Sequence, residues 1–125
     1  MILDTNALSA WAKRDADLLP VLLAGLSLEI PVVVVGEYLF GLTQSTRGVA
    51  LRDWLFEVVQ EVVVLPVTLA TAEAYAIVRA ELEQKGRPIP ANDLWIAALA
   101  VQHQVPVLSR DAHFDVVDGV ERIAW

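Results

Sequence analysis

The opening stretch Met1-Ile2-Leu3-Asp4-Thr5-Asn6-Ala7-Leu8-Ser9-Ala10 reads as a short buried strand, then an acid, then a helix. Met1-Ile2-Leu3 is uniformly apolar, as a strand covered on both faces must be. Asp4-Thr5-Asn6 is a cluster of helix N-cap residues, and residues 7–14 follow with a helical pattern. The same alternation recurs along the whole chain. Residues 15–17 restart a second helix with Pro20 in its first turn, where proline is tolerated. Residues 28–32 predict a strand. Residues 33–44 predict a helix, because Val34, Tyr38 and Leu42 repeat every four residues, although the valine run there favours a strand by propensity. Residues 47–61 predict a helix with Leu51, Leu55, Val58 and Val59 on one face, and residues 62–65 a strand closed by Pro66. Residues 71–85 predict a helix with Ala74, Ile77, Val78 and Leu82 as its buried stripe and Gly86 as its C-terminal cap. Residues 92–104 are apolar almost all round, which marks a central helix. Residues 105–108 and 120–125 are the last strands, with a loop over 109–114. Strands alternating with helices predict one α/β domain, a parallel sheet of about five strands covered by helices on both faces.

The composition limits the chemistry. With 125 residues, 56% of them hydrophobic, the chain can bury a core. It has no cysteine and only two histidines, so a bound metal would be held mainly by oxygen, which favours hard cations such as Mg²⁺ or Mn²⁺. No basic leader precedes the first strand, and the most apolar stretch is broken by Pro20, Glu29 and Pro31, so a cytoplasmic protein without a membrane span is expected. A net charge of −7 argues against binding nucleic acid through a broad positive surface. It does not argue against a nuclease whose cation supplies positive charge at the phosphate.

The acids are distributed with a bias. Asp4 closes the first strand, and Asp111 lies just beyond the strand that ends at Leu108. Ligands of open α/β sheets bind beyond the carboxyl ends of the strands, so both acids face the expected crevice. Asp93 opens the central helix, and Glu37 interrupts the apolar run 32–42. Taken singly, Asp4 can be an N-cap, Asp93 a first-turn acid, Asp111 a turn residue and Glu37 a solvated helix edge. Together they would repel one another and call for a cation. A divalent ion held by carboxylates can activate water against a phosphodiester without a protein nucleophile.

In this order the residues resemble a known family. Leu3-Asp4-Thr5-Asn6, the segment 31–41 with Glu37 four residues before Gly41, the segment 91–100 around Asp93, and Val107-Leu108-Ser109-Arg110-Asp111 are similar to the four acidic motifs of PIN domains, and over the whole chain to VapC-like toxins. The resemblance implies a PIN-like three-layer sandwich and an Mg²⁺- or Mn²⁺-dependent endoribonuclease acting on tRNA, rRNA or mRNA. It implies Asp4, Glu37, Asp93 and Asp111 as catalytic acids, with metal on Asp4, Asp93 and Asp111. Thr5, Asn6, Ser109 and Asp115 would be supporting polar groups. Asp111 and Asp115 could each be the fourth acid, and Asp111 is preferred because it lies nearer the strand end. The implied partners are an RNA substrate, a VapB-like antitoxin and a second copy of the chain. Lys85 and Arg87, which lead toward Asp93, and Arg110, beside Asp111, are expected to meet RNA phosphates. Neither histidine is expected to be catalytic, and the tryptophans are expected in the core, with Trp11 a lesser candidate for an antitoxin groove. The alternative is a catalytically silent PIN-like module that binds RNA or protein. A receiver-like domain is disfavoured because neither Lys13 nor Lys85 follows a strand, and an Asp-x-Asp phosphatase because Asn6 replaces the second acid.

Overall fold

A computed structural model describes residues 1–125. The element order is β1 (Ile2–Leu3), α1 (Thr5–Ala12), α2 (Leu19–Leu22), β2 (Glu29–Pro31), α3 (Val32–Leu42), α4 (Gly48–Glu61), β3 (Val63–Leu65), α5 (Leu69–Gln84), α6 (Ala91–His103), β4 (Val107–Leu108), a 3₁₀ turn (Ala112–Val116) and β5 (Arg122–Ile123). The five strands are parallel and lie in the order β3-β2-β1-β4-β5. From β1 the chain builds outward to β2 and β3, then returns to the other side of β1 to place β4 and β5. The direction therefore reverses between β1 and β4, and such a switch point opens a crevice at the carboxyl ends of the strands. Right-handed crossovers put α1 to α4 on one face of the sheet and α5 and α6 on the other. The helix contacts agree, since α1, α3 and α4 pack on one another and α5 packs along α6.

The centre is apolar and closed. Ile2 and Leu3 of β1, Val107 and Leu108 of β4, and Ile96 to Ala100 of α6 are fully buried. Ile2 aligns with Val107 and Leu3 with Leu108, and Asp4 N–H donates to the Leu108 carbonyl at 3.2 Å. The first and fourth strands thus end side by side. No helix is long and apolar enough to cross a membrane.

The helix expected over residues 33–44 forms, while several other expectations shift. Residues 32–42 are helical despite their valines, because only Val34 of Val32-Val33-Val34-Val35 is fully buried, with Tyr38 one turn on. The packed face has helical period, and this overrides propensity. Residues 15–18 do not start the second helix. Asp15 Oδ1 accepts from the Asp17 and Leu18 N–H groups, and the helix begins at Leu19. This is a side-chain turn competing with helical bonding. Ile77 is 60% exposed, so it does not belong to the buried stripe of α5, which runs through Thr71, Val78 and Leu82. The expected 109–114 loop is partly a 3₁₀ turn.

Thr71 joins the two helices of the second layer. It is fully buried, its hydroxyl donates to Gln102 Oε1 at 2.6 Å, and it accepts from Thr68 N–H at 3.0 Å. Thr71→Val keeps the shape but orphans both partners, so it should cost about 1–3 kcal/mol. Urea denaturation of the two proteins measures this.

Candidate active site

Asp4 after β1, Glu37 within α3, Asp93 at the start of α6 and Asp111 beyond β4 each reach the crevice. Asp4 follows β1 and caps α1, its Oδ1 accepting from Thr5 N–H at 2.6 Å. Its Oδ2 accepts from Asn6 Nδ2 and from Ser109 Oγ, both at 2.7 Å. Glu37 projects from the middle of α3, where Thr5 Oγ1 donates to one carboxylate oxygen and Asn92 Nδ2 to the other, the latter at 2.5 Å. Asp93 lies in the first turn of α6, where an anion complements the helix dipole. Asp111 caps the 3₁₀ turn, accepting from His113 N–H at 2.9 Å, while its own N–H donates to Ser109 Oγ at 2.9 Å.

Asp4, Glu37, Asp93 and Asp111 all line one open pocket of about 540 Å³, together with Thr5, Asn6, Lys13, Asp15 and Arg110. The structure thus brings the four sequence-selected acids together. Thr5, Asn6 and Ser109 bond to them directly. Asp115 does not reach the pocket. Arg122 holds both of its oxygens, at 2.6 and 2.8 Å, and donates in turn to the Ser109 carbonyl at 3.2 Å. Asp115 therefore touches the site only through Arg122 and the Ser109 backbone, which leaves Asp111 as the fourth acid in the pocket.

The basic residues fall differently from expectation. Lys85 pairs with Asp118 at 2.6 Å, and neither Lys85 nor Arg87 lines the pocket. Arg110 does line it, but Asp15 holds its guanidinium at 3.1 Å and the Trp125 ring lies beneath it at 4.4 Å. Lys13, read from sequence only as a helix-end residue, lines the pocket wall. Asn92 is not marked in the sequence, and His113, read there as near the site without a catalytic role, proves to touch two of its acids. His113 Nδ1 lies 2.7 Å from Asp93 Oδ2 and 3.1 Å from Asp111 Oδ1. Asn92 orients Glu37. His113 follows Asp111 by two residues, and that spacing was the available signal.

Crowding shows in the proton affinities. Burial pushes the Asp4 carboxyl above its ordinary value, and Asp93 and Glu37 push the same way, against the bonds from Ser109 and Thr5. Burial likewise raises Asp93, with Asp111 and Glu37 adding and His113 opposing. The hydrogen bond to Asp93 raises His113, and the surrounding negative charge adds to it.

The donor set suits a divalent cation. Asp93, Asp111 and His113 each offer one atom to a group whose members lie within 4.8 Å of one another, and Asp93 and Asp111 line the acid pocket. Asp4 uses about three of the four lone-pair sites of its carboxylate on internal donors, leaving one free for a cation. Within ion-pair distance of the four acids, His113 is the only basic side chain.

Comparison with known proteins agrees with the architecture. The family model described as PIN domain matches residues 1–120. The chain is 32% identical over 127 aligned residues to ribonuclease VapC5 of Mycobacterium tuberculosis, covering 98% of this chain and 90% of that protein. It is 31% identical over 102 residues to ribonuclease VapC4 of the same organism, covering 80% and 78%. Its fold superposes on the VapBC-5 toxin–antitoxin structure from that organism with TM-score 0.77 at 32% identity, covering 99% of this chain and 97% of the other. It also superposes on VapBC2 of Rickettsia felis bound to a promoter DNA fragment, with TM-score 0.86 at 22% identity, covering 99% and 97%.

The raised acids predict a pH dependence for the protein in chelator. Asp4 and Asp93 bind protons more tightly folded than unfolded, so their contribution to stability falls as pH rises from their ordinary value of 3.8 to the raised folded values. His113 contributes stability that is full below its ordinary value of 6.5 and is lost as pH rises through its raised one. Calorimetric Tm in chelator should therefore fall as pH rises from about 4 to beyond 6.5. Asp93→Asn should flatten that fall. A Tm rising across the window would contradict the reading.

Proposed function

Since the chain belongs to the PIN-domain family, we propose that it is a metal-dependent endoribonuclease, the toxin half of a toxin–antitoxin pair, that hydrolyses a phosphodiester bond in tRNA, rRNA or mRNA. The observation that carries this reading is the meeting of Asp4, Glu37, Asp93 and Asp111 in one open pocket, with His113 the only basic side chain in ion-pair contact with them. Its similarity to proteins named ribonuclease over nearly the whole chain supports the same substrate class.

In this proposal Asp93 and Asp111, with the free lone pair of Asp4, hold Mg²⁺ or Mn²⁺. When bound, such a cation lowers the pKa of a water and offsets phosphate charge in the displacement. The chain's own residues do the rest. Ser109 and Asn6 fix the Asp4 carboxylate, so the ligand direction is set before substrate arrives. Thr5 and Asn92 hold Glu37 from opposite sides, leaving its remaining lone pairs to accept a proton from the attacking water. His113 as an imidazolium occupies the same Asp93 and Asp111 oxygens that a cation needs. The two compete, so cation binding favours the neutral ring.

The proposed protein partner is a VapB-like antitoxin, with the toxin itself acting as a homodimer. The edge-to-face pair Trp11–Trp54, 5.7 Å between ring centroids, borders a groove of about 420 Å³ with Leu19, Leu51 and Arg14 that offers the antitoxin an apolar seat.

Incubation of the purified chain with total tRNA and rRNA tests the proposal. Cleavage is expected with Mg²⁺ or Mn²⁺ and none in chelator. Ser109→Ala should lower the rate about 10–100-fold by loosening Asp4, and Asp111→Asn by more. Intact RNA under all conditions would favour the silent binding module.

A further inference from the structure

A pocket lined by four acids repels the polyanion it is meant to cut, in a chain that already carries a net charge of −7. Cations near the site must counter that repulsion. Four of the nine basic side chains are already committed: Arg79 to Glu83, Lys85 to Asp118, Arg110 to Asp15 and Arg122 to Asp115. Of the five that form no ion pair, Lys13 lines the acid pocket and Arg47 does not. Both line a second cavity of about 370 Å³ that shares Thr5, Ser9, Lys13 and Glu37 with the acid pocket. The two hollows therefore have a common wall, and Lys13 stands on it.

The second cavity has its own polar chemistry. Tyr38, Ser45 and Arg47 line it and are absent from the acid pocket. Tyr38 is only 6% exposed, and its hydroxyl has no hydrogen-bond partner. Buried hydroxyls normally find one. Burial raises the Tyr38 pKa, and the charge of Arg47 opposes that rise. A volume of this size takes one small ligand rather than a duplex.

Building on the ribonuclease reading, we propose that this cavity is a nucleotide subsite. It receives one unstacked nucleotide next to the scissile phosphate, with Lys13 and Arg47 meeting its phosphates and the Tyr38 hydroxyl meeting its sugar or base. The substrate is then single-stranded at that point, as recognition of splayed-out bases requires. Arg47, not Lys85 or Arg87, supplies the positive charge that steers the strand.

Two measurements test this together. First, the four nucleoside 5′-monophosphates and inorganic phosphate are each titrated in chelator against isotope-labelled protein, following the Tyr38 ring and Arg47 side-chain signals by NMR. Nucleotides are expected to shift both signals more strongly than phosphate does, with Arg47→Gln weakening binding about tenfold, as expected for loss of one charge-assisted contact, and Tyr38→Phe weakening it less. Second, tRNA cleavage at sub-saturating RNA is expected to slow about tenfold in Arg47→Gln and to match wild type in Arg87→Gln. Cleavage by Arg47→Gln at the wild-type rate, or Tyr38 and Arg47 signals that ignore nucleotides but move with a protein partner, would overturn the subsite. A wild-type protein that cleaves no RNA at all would overturn the ribonuclease reading instead, and the nucleotide titration would still report on the cavity.

Discussion

Mutual repulsion among four carboxylates is the constraint around which this structure is arranged. Two such charges about 5 Å apart repel by roughly 3 kcal/mol at an effective dielectric near 20, and a domain is stable by only about 5–15 kcal/mol. Neutral donors hold the acids in place: Thr5, Asn6 and Ser109 around Asp4, and Asn92 with Thr5 around Glu37. The supports are stiff because they rise from the best-buried parts of the molecule. β1 and β4 are fully enclosed and end together, and α6 is buried along most of its length. The strand-order reversal between β1 and β4 opens the crevice at that place, so topology and charge point to the same spot.

The fold was largely legible in the sequence because its central elements are simple. Short apolar strands alternate with helices whose apolar spacing is helical, and Asp4, Asp93 and Asp111 sit at element ends where their capping roles and their shared crevice coincide. Glu37 was legible as an acid in an apolar run. What could not be read depended on contacts between distant residues. His113 lies twenty positions from Asp93, and only the 3₁₀ turn after β4 brings its ring between Asp93 and Asp111. The same turn sends Asp115 to Arg122 rather than to the pocket. Nothing in the sequence marks Asp118 as the partner of Lys85, yet the fold pairs them. Ile77 obeys the helical period of α5 but meets no neighbouring layer.

The distribution of paired and unpaired cations turns the overall negative charge from an objection into a guide. Three of the seven arginines are neutralised locally, and Lys13 and Arg47, which form no ion pair, both line the cavity that adjoins the acid pocket. A strand drawn to the site by so few charges is placed more by geometry than by bulk attraction. That suits the proposed ribonuclease, which would have to choose one position along a chain of equivalent phosphates.

The most direct test of the central claim is anomalous diffraction from crystals soaked in Mn²⁺. The account predicts an anomalous peak in the acid pocket, ligated by Asp93 and Asp111, with Asp4 beside it and His113 displaced from their oxygens or joined to the ion. A pocket with no peak while Mn²⁺ occupies other carboxylates on the surface would contradict it.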